Sequence, residues 1–147
     1  VFTITASIEI ARSATEVFGF VADHRNDPQW RQGVVSMQTE PAGPSALGTI
    51  TTERMAMLGS TNTTVAEITE FVAGSRVAFR SRTGAVPCHG FRHIEAAGDG
   101  ARVTYSLTLE MSGIMRLLSV VLRPLLERQV GADMRRLKAL LEGQRYT

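Results

Sequence analysis

The chain has one cysteine, Cys88, and one lysine, Lys138. A lone cysteine allows no internal disulfide and excludes a structural zinc site built on several thiolates. Aromatic residues make up only 6%, and Trp30 is the single tryptophan. No apolar run approaches the roughly 20 residues that a membrane-spanning helix needs. The most apolar stretch, 114–126, is short and carries Arg116 and Arg123. Neither the glycine pattern of a dinucleotide-binding turn nor a phosphate loop occurs, and no cofactor is expected. The opening VFTITASIEI has no basic segment and no small-residue cleavage site, so no secretory signal is read in it and a cytoplasmic location is expected.

Charge of one sign is also scarce. Sixteen Lys and Arg face fourteen Asp and Glu, a net +2. The cations are spread from Arg12 to Arg145, and the densest group is Arg76, Arg80 and Arg82. A nucleic-acid binder would gather them on one face or helix, so these read as solvated strand faces and no nucleic-acid partner is expected. What is present is an ordinary globular composition. The 147 residues are 44% apolar, enough for one domain with a substantial core, expected over 1–147.

Residues 2–10 alternate, with Phe2, Ile4, Ala6, Ile8 and Ile10 on one side, which predicts a half-buried strand. Ser13 and Glu16 form a capping-box pattern before a helix over about 14–22. The stretch 23–33 carries turn residues and a short helix holding Trp30. Six short strands follow: 34–39, 49–57, 63–72, 76–82, 88–96 and 102–111, the last two joined by the hairpin signal Gly98-Asp99-Gly100. Met115, Leu118, Leu122, Leu126, Val130, Met134, Leu137 and Leu141 then recur every three or four residues, one helical stripe roughly 40 Å long. Pro124 predicts a kink or break near 120–123, and Gly143 a cap. The order β–α–α–β–β–β–β–β–β–α predicts an α+β fold in which a curved antiparallel sheet of seven strands must cover its apolar face, and only the long helix is large enough to do so. A space between them would be a natural small-molecule site.

Several segments carry a family resemblance. ARSATEVFGFVAD after the first strand, then DPQW, LGTITTE, VAEITEF and GDGARVTYSLTLE occur in the order found in the START-like (SRPBCC) superfamily. With Arg123-Pro124 inside the last helix, the chain most resembles the polyketide cyclase/dehydrase-like branch. The resemblance implies a helix-grip fold whose sheet wraps around the C-terminal helix. It also implies binding of a hydrophobic small molecule, lipid- or polyketide-like, between sheet and helix. The alternative is a polyketide cyclase, aromatase or dehydratase using polar cavity residues. The superfamily holds carriers, enzymes and toxins alike, so fold alone does not choose.

The expected cavity residues are Trp30, Met37, Arg54, Phe79 and Arg92 from the first half of the fold and the sheet. Tyr105, Leu107, Met115, Leu118 and Leu122 complete the set. Trp30 either roofs the mouth over a flat ligand or anchors the short helix. Methionines suit a pliable apolar ligand and ordinary core equally. The inward faces of the third and sixth strands are left open by alternation. An inward Arg54 or Arg92 would be a buried charge needing a partner or a ligand oxygen; an outward one would be ordinary surface. Tyr105 falls on the apolar side of its strand. Asp23-His24 could serve acid–base chemistry but reads first as a helix end, and Asp27-Pro28 reads as a turn. Cys88, His89 and His93 make no metal site, because Cys88 and His89 face opposite ways and the histidine Cα atoms would lie roughly 13 Å apart. Burial of one side of 114–126 and a second copy on the other suit it better than a membrane surface, and a monomer or homodimer is expected.

Overall fold

The computed structural model describes residues 2–57 and 59–143. The elements are β1 (Phe2–Ile10), α1 (Ala14–Val21), a 3-10 turn (His24–Asn26), α2 (Asp27–Trp30), β2 (Val34–Glu40), β3 (Ile50–Met57), β4 (Ser60–Val72), β5 (Arg76–Thr83), β6 (Cys88–Ala97), β7 (Gly100–Leu109) and α3 (Ile114–Gly143). The element order is the expected one. The largest boundary difference is β4, which starts at Ser60 instead of Thr63; Leu58, in the break before it, lies outside the described residues.

The seven strands form one antiparallel sheet in the order β1-β7-β6-β5-β4-β3-β2. Strands β2 to β7 meander, and β1 adds beside β7. The first and second strands therefore sit on opposite edges, and the chain between them must cross the sheet. That crossing is made by α1, the 3-10 turn and α2, which lays their buried side chains on the inner face. Register shifts at Val34/Ser36, Val65/Ala66 and Ile68/Glu70 bend the strands, and the sheet is open and curved.

Register fixes the two faces. Ile4, Leu107, Gly90 and Phe79 stand in one row on the inner face, and Ala6, Tyr105, Arg92 and Val77 in the next. Gly90 has a role here: a Cβ would lie 2.2 Å from Ser106 O and 3.0 Å from the Phe79 ring. Its bare backbone lets Phe79 pack across the strand. The core gathers Ile4, Ile10, Val77, Ile94 and Val103 of the sheet, Val17, Phe18 and Val21 of α1, and Trp30. Ser13 caps α1, its Oγ accepting from Glu16 N at 3.2 Å.

The long helix does two different things. Val130, Met134, Leu137 and Leu141 of its second half are buried in the core. Ile114, Leu117, Val120 and Val121 of its first half are 72–74% exposed. The expected break near 120–123 is absent: α3 runs unbroken through Pro124. Proline frees one carbonyl of the preceding turn, and here that turn is exposed to water, which can satisfy it.

Candidate functional site

The inner face carries an ionic chain whose parts come from α2 and the residue after it, β3 and β6. Asp27 opens α2 and is fully buried. Arg92 stands mid-β6, 1% exposed, with its side chain on the inner face. Its Nη1 donates to Asp27 Oδ1 at 2.9 Å and to Val21 O at 2.9 Å, and its Nη2 donates to Asp27 Oδ2 at 2.6 Å. This is a bidentate pair, the strong geometry for a guanidinium and a carboxylate. Arg31, one residue past α2, extends the chain: its Nη1 donates to Asp27 Oδ2 at 3.0 Å and to Glu53 Oε1 of β3 at 2.6 Å.

The second half of α3 holds Arg31 in place. Asp133 Oδ1 accepts from Gln32 N at 2.9 Å, and Arg136 Nη1 donates to Trp30 O at 3.1 Å. Both flanking residues are thus tied to the buried part of the helix. Trp30 packs edge-to-face on Tyr105 at 6.2 Å, and the Arg92 guanidinium lies 5.2 Å from the Trp30 ring and 5.5 Å from the Tyr105 ring.

The electrostatics follow from burial. Burial alone would raise the Asp27 carboxyl, but the Arg92 and Arg31 guanidiniums override it and hold it at about 2. Burial, reinforced by the nearby Arg92 charge, drives the His24 imidazole down to about 3, so it is neutral at physiological pH. Burial raises the Tyr105 phenol and the Cys88 thiol, so both keep their protons. A protonated thiol is a poor nucleophile. His24 Nδ1 lies 3.0 Å from Ser45 Oγ and 3.2 Å from Ala22 O. His24 Nε2, Trp30 Nε1 and Arg92 Nε are buried with no hydrogen-bond partner among the described residues.

The expected cavity residues divide. Arg92 and Tyr105 meet at the ionic chain. Met37 faces Glu53 across β2 and β3, and Phe79 and Leu107 flank Gly90; all three are half-buried on the inner face. Met115 and Leu122 of α3 are half-buried, while Leu118 is 46% exposed. Trp30 is 1% exposed and anchors α2 in the core; it does not roof a mouth. Arg54 is corrected outright: it pairs with Ser36 and Thr63 on the outer face and is exposed. Glu53 takes the inward position because β3 alternates Thr51, Glu53, Met55 toward the helix side. Cys88 faces inward, His89 and His93 outward.

Asp27, Arg31 and Glu53 are the members that sequence reasoning missed, and His24 was set aside as a helix end. One signal was present: Arg31 lies four residues after Asp27, a pairing distance on a helix. Met37, Met55, Leu107, Leu109 and Cys88 are half-buried on the inner face. Two grooves lie elsewhere. One of about 340 Å³ runs between α1 and the end of α3, lined by Arg12, Glu16, Phe20 and Leu141. One of about 270 Å³ sits on the outer face, lined by Arg76, Arg80, His89 and Phe91.

Comparison with known proteins agrees with this architecture. The family model described as "Polyketide cyclase / dehydrase and lipid transport" matches residues 1–142. The chain belongs to this family. A protein from Thermus thermophilus is 19% identical with a TM-score of 0.79, covering 92% of this chain and 94% of its own. The Zhui aromatase/cyclase from Streptomyces sp. R1128 is 13% identical with a TM-score of 0.74, covering 95% and 93%. A START superfamily protein from Mycobacterium smegmatis is 16% identical with a TM-score of 0.67, covering 98% and 97%. At these identities the likeness shows the helix-grip fold alone. No curated protein matches the sequence. Among the described residues, no helix is long and apolar enough to cross a membrane.

Proposed function

We propose that this polyketide cyclase/dehydrase and lipid transport family member acts as one domain that binds a hydrophobic small molecule in the trough between the sheet and the first half of α3. The observation that carries the reading is the contrast along the inner face. Where α3's second half packs, the side chains are fully buried. Elsewhere on the inner face Met37 and Leu107 stay half-buried, as does Met115 on the first half of α3. Apolar walls with a few placed polar groups are the usual make-up of a ligand site. Methionine adapts to the shape of a pliable ligand.

The test is native mass spectrometry of freshly purified protein, followed by thermal-shift screening. The expected result is a co-purified or added apolar ligand of a few hundred daltons that raises the melting temperature. Absence of any such ligand in both experiments overturns the reading.

A cyclase- or aromatase-type activity is the second reading. What favours it is the gathering of Arg31, Arg92 and Tyr105 on one floor, where neutral and charged donors would polarise a ligand carbonyl. Against it, His24 and Cys88 hold no proton that moves near neutral pH. Tyr105→Phe removes the buried phenol without disturbing the ion chain. A cyclase would lose turnover of a defined substrate in that variant, whereas a carrier would keep its ligand.

A further inference from the structure

The first half of α3 is apolar on two sides. Its inward side, with Met115 and Leu122, is half-buried. Its other side is bare. Ile114, Leu117, Val121 and Leu125 follow one another at steps of three and four residues and so stand in one line along the helix. Leu118 and Val120 widen that line. All six are exposed, by 46 to 74%. Together they present on the order of 700 Å² of apolar surface, more than the largest patch of most monomers, about 300–600 Å². With a polar rim this approaches the roughly 800 Å² that each partner brings to a stable protein interface.

The helix is basic beside this face and not on it. Arg116 and Arg123 stand about two turns apart on a different side. The Arg123 guanidinium is turned back onto its own chain, 4.6 Å from the Phe2 ring and 3.5 Å from Glu127. The helix also carries no Phe, Tyr or Trp. Both facts count against a lipid surface, which attracts free cations beside an apolar face and holds aromatic side chains at its boundary.

A protein partner must then offer an uncharged apolar surface, and among the described residues this chain has one such surface. The remaining exposed large apolar side chains, Val35, Leu47 and Val72, come singly from three segments. Both grooves carry charge, Arg12 and Glu16 in one, Arg76 and Arg80 in the other. Head-to-tail docking of the helix face into a groove of a second copy would set those charges against hydrocarbon. The same face of the second copy matches it instead, and a surface that contacts itself closes on a two-fold axis. Steps of three and four residues are also the spacing that lets two helices interlock their side chains.

We propose that the chain pairs with a second copy of itself through the outer face of 114–125, helix against helix. The apolar patch is covered by a symmetric, uncharged seam, and Arg116 and Arg123 stay in water beside it. In dilute protein the pair dissociates and the face is bare. The contact is separate from the ligand reading, and either can fail alone.

Sedimentation velocity of the full chain from about 1 to 100 µM tests it. The expected result is a species of twice the 16.0 kDa chain mass, half-dissociating in the micromolar range. Leu117→Glu and Val121→Glu place a carboxylate in the seam and should each weaken pairing at least about thirtyfold. Both positions are 72–74% exposed in the single chain, so the melting curves of the variants in dilute protein should match the natural one. Val72→Glu, an exposed apolar position on β4, should leave pairing within about threefold. A natural chain that stays monomeric throughout overturns the proposal, as does a dimer that neither helix variant weakens. Flotation with vesicles of equal parts phosphatidylcholine and phosphatidylserine separates the other occupant. A monomer that floats with them, and loses this in Val121→Glu, gives the face to a lipid surface and also overturns the pairing.

Discussion

The sheet wears ion pairs on both faces, and they are made of the same residue types. On the outer face, Arg82 meets Glu67 at 2.5 Å and Arg80 meets Glu110 at 3.2 Å, with the arginine side chains 58% and 57% exposed. On the inner face, Arg92 meets Asp27 at 2.6 Å with both partners at 0–1% exposure. Distance does not separate these pairs; hydration does. An exposed pair swaps water for a partner with small net gain. A buried pair has surrendered its water, so each member depends on the other. The outer pairs decorate a surface, while the inner chain joins α2, β3 and β6 across the inner face. The orphaned donors Trp30 Nε1 and Arg92 Nε also lie on the inner side.

That contrast can be broken by mutation. Arg92→Met takes away the bidentate partner of Asp27, leaving it only Arg31, and should cost about 3–5 kcal/mol of unfolding free energy in urea denaturation. A loss below about 1 kcal/mol would mean the inner pair behaves like a surface one.

Acid is the next largest lever. The native His24 pKa of about 3 lies below its ordinary 6.5. The unfolded chain therefore takes up this proton first as pH falls. Stability linked to His24 is intact above about pH 6.5 and declines as pH drops toward 3, by an amount on the order of 4 kcal/mol. Asp27, held at about 2, adds its own loss only below about pH 4. Urea midpoints measured from pH 7 to pH 4 should fall steadily in the natural chain and flatten in His24→Phe. Parallel curves for the two proteins would contradict the buried, neutral imidazole.

The two halves of α3 provide a companion contrast. Leu137→Ala, at a fully buried position, should cost about 2–5 kcal/mol, whereas Leu117→Ala, 72% exposed, should stay within about 0.5 kcal/mol in dilute protein. Equal effects would mean that the first half is covered even there, and sedimentation analysis would then identify a tight dimer. The smallest effect belongs to Arg82→Ala on the outer face, under about 1 kcal/mol and weaker still in high salt.

The sequence made the architecture legible because its periods were clean. Alternation over 2–10 and 102–111 marked the β1 and β7 strands, and the three-four spacing from Met115 to Leu141 marked the helix. The site was harder to see for two physical reasons. In β3 neither face is apolar: Thr51, Glu53 and Met55 compete with Thr52, Arg54 and Ala56, so alternation could not say whether Glu53 or Arg54 points inward. Asp27-Pro28 has the composition of a turn, and only the crossing from one sheet edge to the other places that turn over Arg92. Arg92 and Tyr105 were within reach because both sit mid-strand beside clearly apolar neighbours. Burial of the stripe along α3 was over-extended, since its first half keeps the period while most of its apolar side chains stay exposed.

The most direct test uses the methionines, which are placed on both sides of the contrast. With methyl-labelled Met, two-dimensional NMR during titration with 2-tridecanone reads each site separately. Shifts are expected at the half-buried Met37, Met55 and Met115, beside the proposed ligand site, and not at Met134, buried on the second half of α3. Shifts confined to Met134, or no methionine shift with a ligand shown to bind, would place the ligand elsewhere and contradict the account.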